Sequence, residues 1–261
     1  ETQFDFGTLT TSDISRIEVV KGSQSALYGS EAVAGVIDIT TNRAEEDGTV
    51  TRLSLEGGSY ATYKGSLNVS TRGERGEAAF TLSRVQTDGF SAADENAGNT
   101  EEDGHEATRL SFSAAYDATP DLRIGLSGFL EESESELDGF GAADTPVPLT
   151  ERSERGLRAF AELQTGAVAH EFSVSAFRRK RVETSSFSVS DFRGARDEVA
   201  YVGEAEISPT LDLVFGLNWV EETARYANAP GGEASSRTSG GFLQALYAPT
   251  DRLDVGVTAR L

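Results

Sequence analysis

The chain has 261 residues, enough for one large domain or two ordinary ones, and carries 43 Asp+Glu against 23 Lys+Arg for a net charge of -20. That balance argues against a nucleic-acid partner, which needs a basic face, and is compatible with divalent cations or with simple solvation. The absence of cysteine excludes disulfides, thiolate metal sites and cysteine nucleophiles, and two histidines, His105 and His170, argue against a multi-histidine metal centre.

No apolar run approaches the ~20 residues of a transmembrane helix. The opening "ETQFDFG" has neither the basic start nor the apolar core of a signal peptide. The first patterned stretch is "ISRIEVVKGSQSALYGSEAVAGVIDITTNR", residues 14–43. Two β-branched runs flank a middle rich in Gly, Ser and Ala, which reads as strand, short helix and strand, a small β-α-β-like unit. Gly22 and Gly29 punctuate its turns, and Ala32 and Gly35 keep the helix thin enough to pack on a sheet. Tyr28 and the glycines read as structural, not as ligand contacts.

From about residue 49 the pattern changes to period two, the mark of a strand with one apolar face. In "TRLSFSAAYD" Leu110, Phe112, Ala114 and Tyr116 oppose Arg109, Ser111 and Ser113. In "LDLVFGLNW" the sequence sets Leu211, Leu213, Phe215, Leu217 and Trp219 against Asp212, Gly216 and Asn218. Eleven such segments are expected, at roughly 49–57, 60–72, 76–88, 106–117, 121–134, 152–165, 169–187, 197–208, 211–226, 236–248 and 252–261. Tight turns at 117–121, 165–168, 208–210 and 248–251 alternate with longer acidic, glycine-rich stretches at 88–106, 134–152, about 188–197 and 227–236. Short turns at one rim, long loops at the other, and a second face of Gly, Ser and charge fit an all-β transmembrane antiparallel barrel with an aqueous interior. A soluble sandwich and a non-transporting, calcium-stabilised surface β-protein such as an adhesin are the alternatives. An odd strand count, and an end within the alternating run "DVGVTARL", lead us to expect a fragment.

Residues 14–43 resemble the end of the plug domain of TonB-dependent outer-membrane receptors, where "IERIEVLRGP" is followed by "SALYGS" and "A.GGVINI.T". The matches are Ile14, Arg16, Ile17, Glu18, Val19, Gly22, the run 25–30, Ala32, the run 35–37, Ile39 and Thr40; the departures are Ser23, Ala34 and Asp38. The resemblance implies that 1–43 form the C-terminal part of an α/β plug domain. It implies that 44–261 form the N-terminal half of the barrel, about 11 strands of about 22. It also implies an outer-membrane location, energy from an inner-membrane complex through TonB, contact with outer-membrane lipid and lipopolysaccharide, and a monomer. Within a barrel, Arg16, Glu18 and Lys21 are candidates to face the wall, with Glu162, Glu204 and Glu206 as partners that would seat the plug by weak, wet ion pairs.

The stretch 88–117 resembles a long loop and the following strand of the cobalamin-transporting branch of this family. An amide and two acids there bind calcium, which implies Asn99, Glu101 and Asp103 as ligands here, with Asp138 and Glu151 from the next loop. Glu101 is longer than the family's carboxylate, and Glu151 is offset in spacing. Calcium takes about 6–8 oxygen ligands, which acidic loops can supply. A ferric-siderophore receptor of the same family is the alternative, because such complexes are anionic and "FRRKRVE" (177–183) is a basic cluster. Alternation puts Arg178, Lys180 and Val182 on one face and Arg179, Arg181 and Glu183 on the other. Position near a rim suggests lipopolysaccharide phosphates or acidic loops as neighbours for that cluster. No nucleophile elbow, phosphate loop or zinc motif points to an enzyme.

Overall fold

The computed structural model describes residues 11–22, 29, 32–44, 46–91, 102–137, 149–185, 188–227, 232–250 and 252–261. Two sheets account for its strands. The first pairs β1 (Ile14–Lys21) with β2 (Gly35–Thr41). The second contains β3 (Gly48–Gly57), β4 (Tyr63–Gly73), β5 (Gly76–Thr87), β6 (His105–Thr119), β7 (Leu122–Glu136), β8 (Leu149–Thr165), β9 (Val168–Thr184), β10 (Val189–Ser208), β11 (Leu211–Tyr226), β12 (Glu233–Thr250) and β13 (Leu253–Arg260). Each of these eleven is antiparallel to the next, and their order in space is their order in the chain. The expected barrel wall is therefore present as eleven consecutive antiparallel strands.

Alternation in the sequence becomes two faces of the wall. Register aligns Leu53, Leu67, Leu82, Leu110 and Leu130 in one row. Another row runs Leu126, Ala159, Val174, Val199 and Trp219. Among the described residues these side chains form an exposed outward face: Leu53 is 69% exposed, and Leu217 and Val257 are each 65% exposed. The buried residues are largely polar and sit on the other face, among them Thr81, Ser83, Ser111, Glu131, Ser133 and Thr150. A soluble β-protein buries its apolar face and wets its polar one; here the arrangement is reversed, as hydrocarbon outside and water inside require.

The outward face also shows the strand tilt. Its apolar band ends in charge at Arg84 on β5 and Glu132 on β7, which share a row with Thr108. The boundary moves two residues toward the short turns at Arg155 on β8, and two more at Asp197 on β10, which pairs with Glu221. Such a stepwise shift is what tilted strands need to keep one apolar band level. At the other margin Tyr116, His170, Tyr201 and Phe215 gather, with His170 Nδ1 2.9 Å from the Tyr201 hydroxyl and Arg75 5.1 Å from the Tyr116 ring. Amphipathic rings in this position mark a membrane–water interface.

Connections follow the expected alternation. Only two residues join β4 to β5, β6 to β7, β8 to β9 and β10 to β11, whereas the connections at 88–104 and 137–148 are long. Several boundaries differ from the sequence reading by about three residues, and one by more: 188–197 reads as a loop, yet β10 begins at Val189. The segment "SDFRGARDE" lacks an apolar face because both its faces are polar. It stays extended through a full ladder to β9 and through Phe192, buried against Tyr226 with ring centroids 4.9 Å apart.

The first sheet also departs from expectation. Its two strands run antiparallel, pairing Ile17 with Ile39 and Val19 with Ile37, and so do not make the parallel pair of a β-α-β unit. Approach is close at Gly35, where an added Cβ would lie 2.4 Å from the Val20 carbonyl oxygen. The expected helical turn and Tyr28 fall at 23–28 and 30–31, outside the described residues.

Candidate functional site

The polar inner face of the wall holds a buried ionic centre, reached by the segment that precedes β1. A single 3-10 turn, Thr11–Asp13, lies against β4 and β5. Asp13 is 1% exposed. Its backbone is fixed by the chain that follows β2: the Asn42 amide N–H donates to the Asp13 carbonyl at 2.8 Å, and Asn42 Nδ2 donates to the Ser12 carbonyl at 2.9 Å. Its carboxylate meets the wall. Arg109 Nε donates to Asp13 Oδ2 at 2.7 Å while Arg109 Nη1 donates to Glu131 Oε2, also at 2.7 Å. All three side chains are nearly out of water, so the charges need one another.

The register explains this centre. Arg109 of β6, Glu131 of β7, Glu154 of β8 and Arg179 of β9 occupy one inward row. Arg179 Nε donates to Glu154 Oε1 at 2.7 Å. Between the two ion pairs lie Phe129 and Phe177, 6.3 Å apart, with the Arg109 guanidinium 4.2 Å from the first ring and that of Arg179 5.8 Å from the second. Gly156 stands between the rings in register, and a Cβ there would be 2.6 Å from Phe129. The result is one contact chain, from Asp13 through two arginines and two rings to Glu154.

Elsewhere on the inner face, cations are also matched with carboxylates. Arg123 bonds Glu77 at 2.7 Å and Asp117 at 2.9 Å; Arg196 bonds Glu222 and Glu198, each at 2.9 Å; Arg158 pairs with Glu171, and Arg181 with Glu183. The interior is thus highly polar but locally compensated.

The candidates from the sequence fall as follows. Arg16 pairs with its strand neighbour Glu18, and Lys21 is exposed. Glu162, Glu204 and Glu206 lie on the inward face; Glu162 and Glu204 border a recess of about 500 Å³ with Arg123 and Glu171. Among the described residues no ion pair joins these glutamates to Arg16 or Lys21. The ion pair that does link the pre-β1 segment to the wall is Asp13–Arg109, which period-two reading alone does not reveal, because its partners are 96 residues apart. Gly22 and Gly29 have φ of +98° and +95°, left-handed values that suit glycine, and a Cβ at Gly29 would sit 3.7 Å from Arg260 of β13.

Of the calcium candidates, Asn99, Glu101 and Asp138 lie outside the described residues. The chain at Asp103 folds tightly over Gly89, whose φ is +74°. The adjoining Gly104 N–H donates to Glu136 Oε2 at 3.0 Å. Glu151 is on β8 opposite Glu134, on the outward face. Among the described residues no three acid or imidazole side chains converge as a cation site.

Comparison with known proteins gives a consistent result. Residues 1–36 match the TonB-dependent Receptor Plug Domain family. The chain is 26% identical over 254 residues to the vitamin B12 transporter BtuB of Photobacterium profundum, covering 95% of this chain and 40% of that protein. It is 35% identical over 116 residues to the vitamin B12 transporter BtuB of Vibrio vulnificus, covering 42% of this chain and 18% of that protein. In fold it is similar to the FrpB iron transporter of Neisseria meningitidis (F3-3 variant), with TM-score 0.81 at 12% identity over 97% of this chain and 47% of that one. The ferric yersiniabactin uptake receptor FyuA of Yersinia pestis gives TM-score 0.72 at 19% identity, over 95% and 44%. The chain therefore spans less than half the length of these relatives, all of which carry names of transporters or receptors and none of an enzyme. Plug match, outward apolar face and polar interior agree with one another, and together they support a fragment of a TonB-dependent receptor of the bacterial outer membrane.

Proposed function

We propose that the intact protein takes up cobalamin or a related corrinoid across the outer membrane, drawing energy from an inner-membrane complex through TonB. Residues 1–43 serve as the end of the plug and 44–261 as part of the wall around it. The observation that carries this reading is the likeness to one vitamin B12 transporter along 95% of the chain, at 26% identity. The inner face supports it: its arginines are already matched by carboxylates, which leaves little positive field for an anionic ferric siderophore. The test is titration calorimetry on the full-length receptor with cyanocobalamin, beside a catecholate and a hydroxamate ferric complex. Cobalamin binding alone is the expected result; binding of a ferric complex without cobalamin overturns the proposal.

Calcium is a second part of this proposal. Asn99, Glu101, Asp103 and Asp138 offer only oxygen donors, which suits that hard cation. Glu151, on the outward face, would join them only from outside the wall. When bound, the ion would order the long loops before the ligand docks. Calorimetry with calcium on the full-length receptor should show a site that Asp103→Ala weakens at least tenfold; no heat of binding removes this part.

A further inference from the structure

The turn between β3 and β4 carries backbone strain that plays no part in the pairing of the wall. Among the described residues only Tyr60 (φ +56°) and Ala61 (φ +46°) are non-glycine residues with left-handed backbone. They are the two central residues of a turn closed by the Thr62 N–H, which donates to the Ser59 carbonyl at 3.1 Å. Positive φ at both positions normally selects Asn and Gly, and a bulky residue there is strongly disfavoured. The surroundings hold the turn in place. The Tyr60 carbonyl accepts the Asp88 N–H at 2.9 Å and the Thr87 hydroxyl at 3.1 Å, and the Gly58 N–H donates to the Thr62 carbonyl at 2.9 Å. Strain of this kind persists where the surrounding structure over-determines it, and it clusters at ligand contacts.

The strained backbone sets a side chain. The Tyr60 ring packs on Phe90, with ring centroids 5.5 Å apart and planes inclined at 47°. Both residues stay open to water, Tyr60 at 56% and Phe90 at 61%. They do not belong to the lipid-facing aromatic margin. The apolar band on β5 ends at Arg84, whose guanidinium pairs with Glu106. Thr87, where β5 ends, lies three residues further, about 10 Å along the strand, and Phe90 lies beyond it. Phe90 also stands at the foot of the long 88–104 connection. Its neighbour Gly89 approaches Asp103 so closely that an added Cβ would lie 2.0 Å from the Asp103 carbonyl oxygen. The aromatic pair is thus fixed from two sides, above the membrane, on the connection that carries the calcium candidates Asn99, Glu101 and Asp103.

We infer that Tyr60 and Phe90 form an outer contact for the transported ligand, stacking on a flat ring system with apolar faces, the kind a corrinoid carries in its nucleotide base. Two rings that already touch leave no room for a guest between them, so the ligand lies across their open side. Rigid aromatic side chains offer a large contact area at little cost in conformational entropy, and the strained turn removes what freedom Tyr60 would otherwise keep. The inference rests on the proposal that the intact protein takes up a corrinoid, and adds to it two residues that would help to select the ligand.

Titration calorimetry of cyanocobalamin on the full-length receptor and four variants tests this. Y60G removes the ring and relieves the left-handed strain in one step, so it should keep the turn and still weaken binding about tenfold. F90A should weaken it to a similar degree. Y60F keeps the ring, and A61G relieves strain without touching a ring; both should bind as the wild type does. Hydrogen exchange at the Asp88 amide, which is bound to the Tyr60 carbonyl, reports whether the turn has kept its place. If Y60G or F90A releases that amide, the other supplies the comparison. Wild-type binding that Y60G and F90A leave unchanged, or that A61G weakens as much as Y60G, overturns this inference while the uptake proposal stands. A wild type that binds no cyanocobalamin overturns both.

Discussion

Arg109→Ala should loosen the plug far more than it loosens the wall. The substitution leaves Asp13, 1% exposed, and Glu131, 6% exposed, facing each other without the cation that lay 2.7 Å from both. Removing one partner from a buried pair typically costs about 3–5 kcal/mol. Solvent screening takes little of that back, because the arginine side chain is itself only 12% exposed. Among the described residues the other hydrogen bonds from the wall to this segment are weaker: a 3.5 Å contact from the Ser113 hydroxyl to the Asn42 carbonyl, and a 3.4 Å bond from Arg72 Nη1 to the Ala44 carbonyl where the chain leaves the plug. Asp13→Asn is the gentler control. It keeps the Arg109–Glu131 pair and a polar group against the guanidinium, and should cost about 1–2 kcal/mol. Hydrogen exchange on the full-length receptor, read on peptides covering 11–22 and 32–44, checks both. Opening in Arg109→Ala should be faster by about a hundredfold or more, with Asp13→Asn between it and the wild type. If exchange in those peptides is unchanged in Arg109→Ala, or if β6 and β7 lose protection equally, the pair does not seat the plug and the reasoning fails.

Other outcomes follow from the same geometry. Gly35→Ala would put a Cβ 2.4 Å from the Val20 carbonyl and should separate β1 from β2, read as lost amide protection at Val20 and Val36 with an unchanged wall. Gly156→Ala should push Phe129 off Arg109 and lower the wall's stability in urea by about 1–3 kcal/mol, the range for an overpacked site. Leu217→Arg, on the lipid face, should cost about 2–4 kcal/mol for folding into vesicles. A folding midpoint equal to wild type would contradict the outward assignment of Leu217.

The wall was readable because hydrocarbon on one side and water on the other impose period two on every spanning strand, as Leu110 to Tyr116 and Leu211 to Trp219 illustrate. The reading failed at 189–197, where the strand rises past the apolar band and nothing selects one face. It failed again at the first sheet, because the runs of β1 and β2 carry no signal for their relative direction. Asp13 and Arg109 look ordinary in sequence. Their meeting depends on a turn that precedes β1 reaching a strand 96 residues later, and no local pattern encodes such a contact. Parity puts Glu162 and Glu204 on the face opposite the apolar row but says nothing about how far Arg16 or Lys21 stand from them.

Among the described residues each strand of the wall bonds only to its chain neighbours, in the order of the chain. Growth can therefore proceed hairpin by hairpin, each new pair closing on the one just finished with no threading and little loop entropy to overcome. At every stage a growing wall offers one open strand edge, with its row of unpaired amides and carbonyls. An assembly factor would need to recognise that edge alone, whatever the side chains, and a peptide that imitates the next strand should halt the process at whichever hairpin it meets.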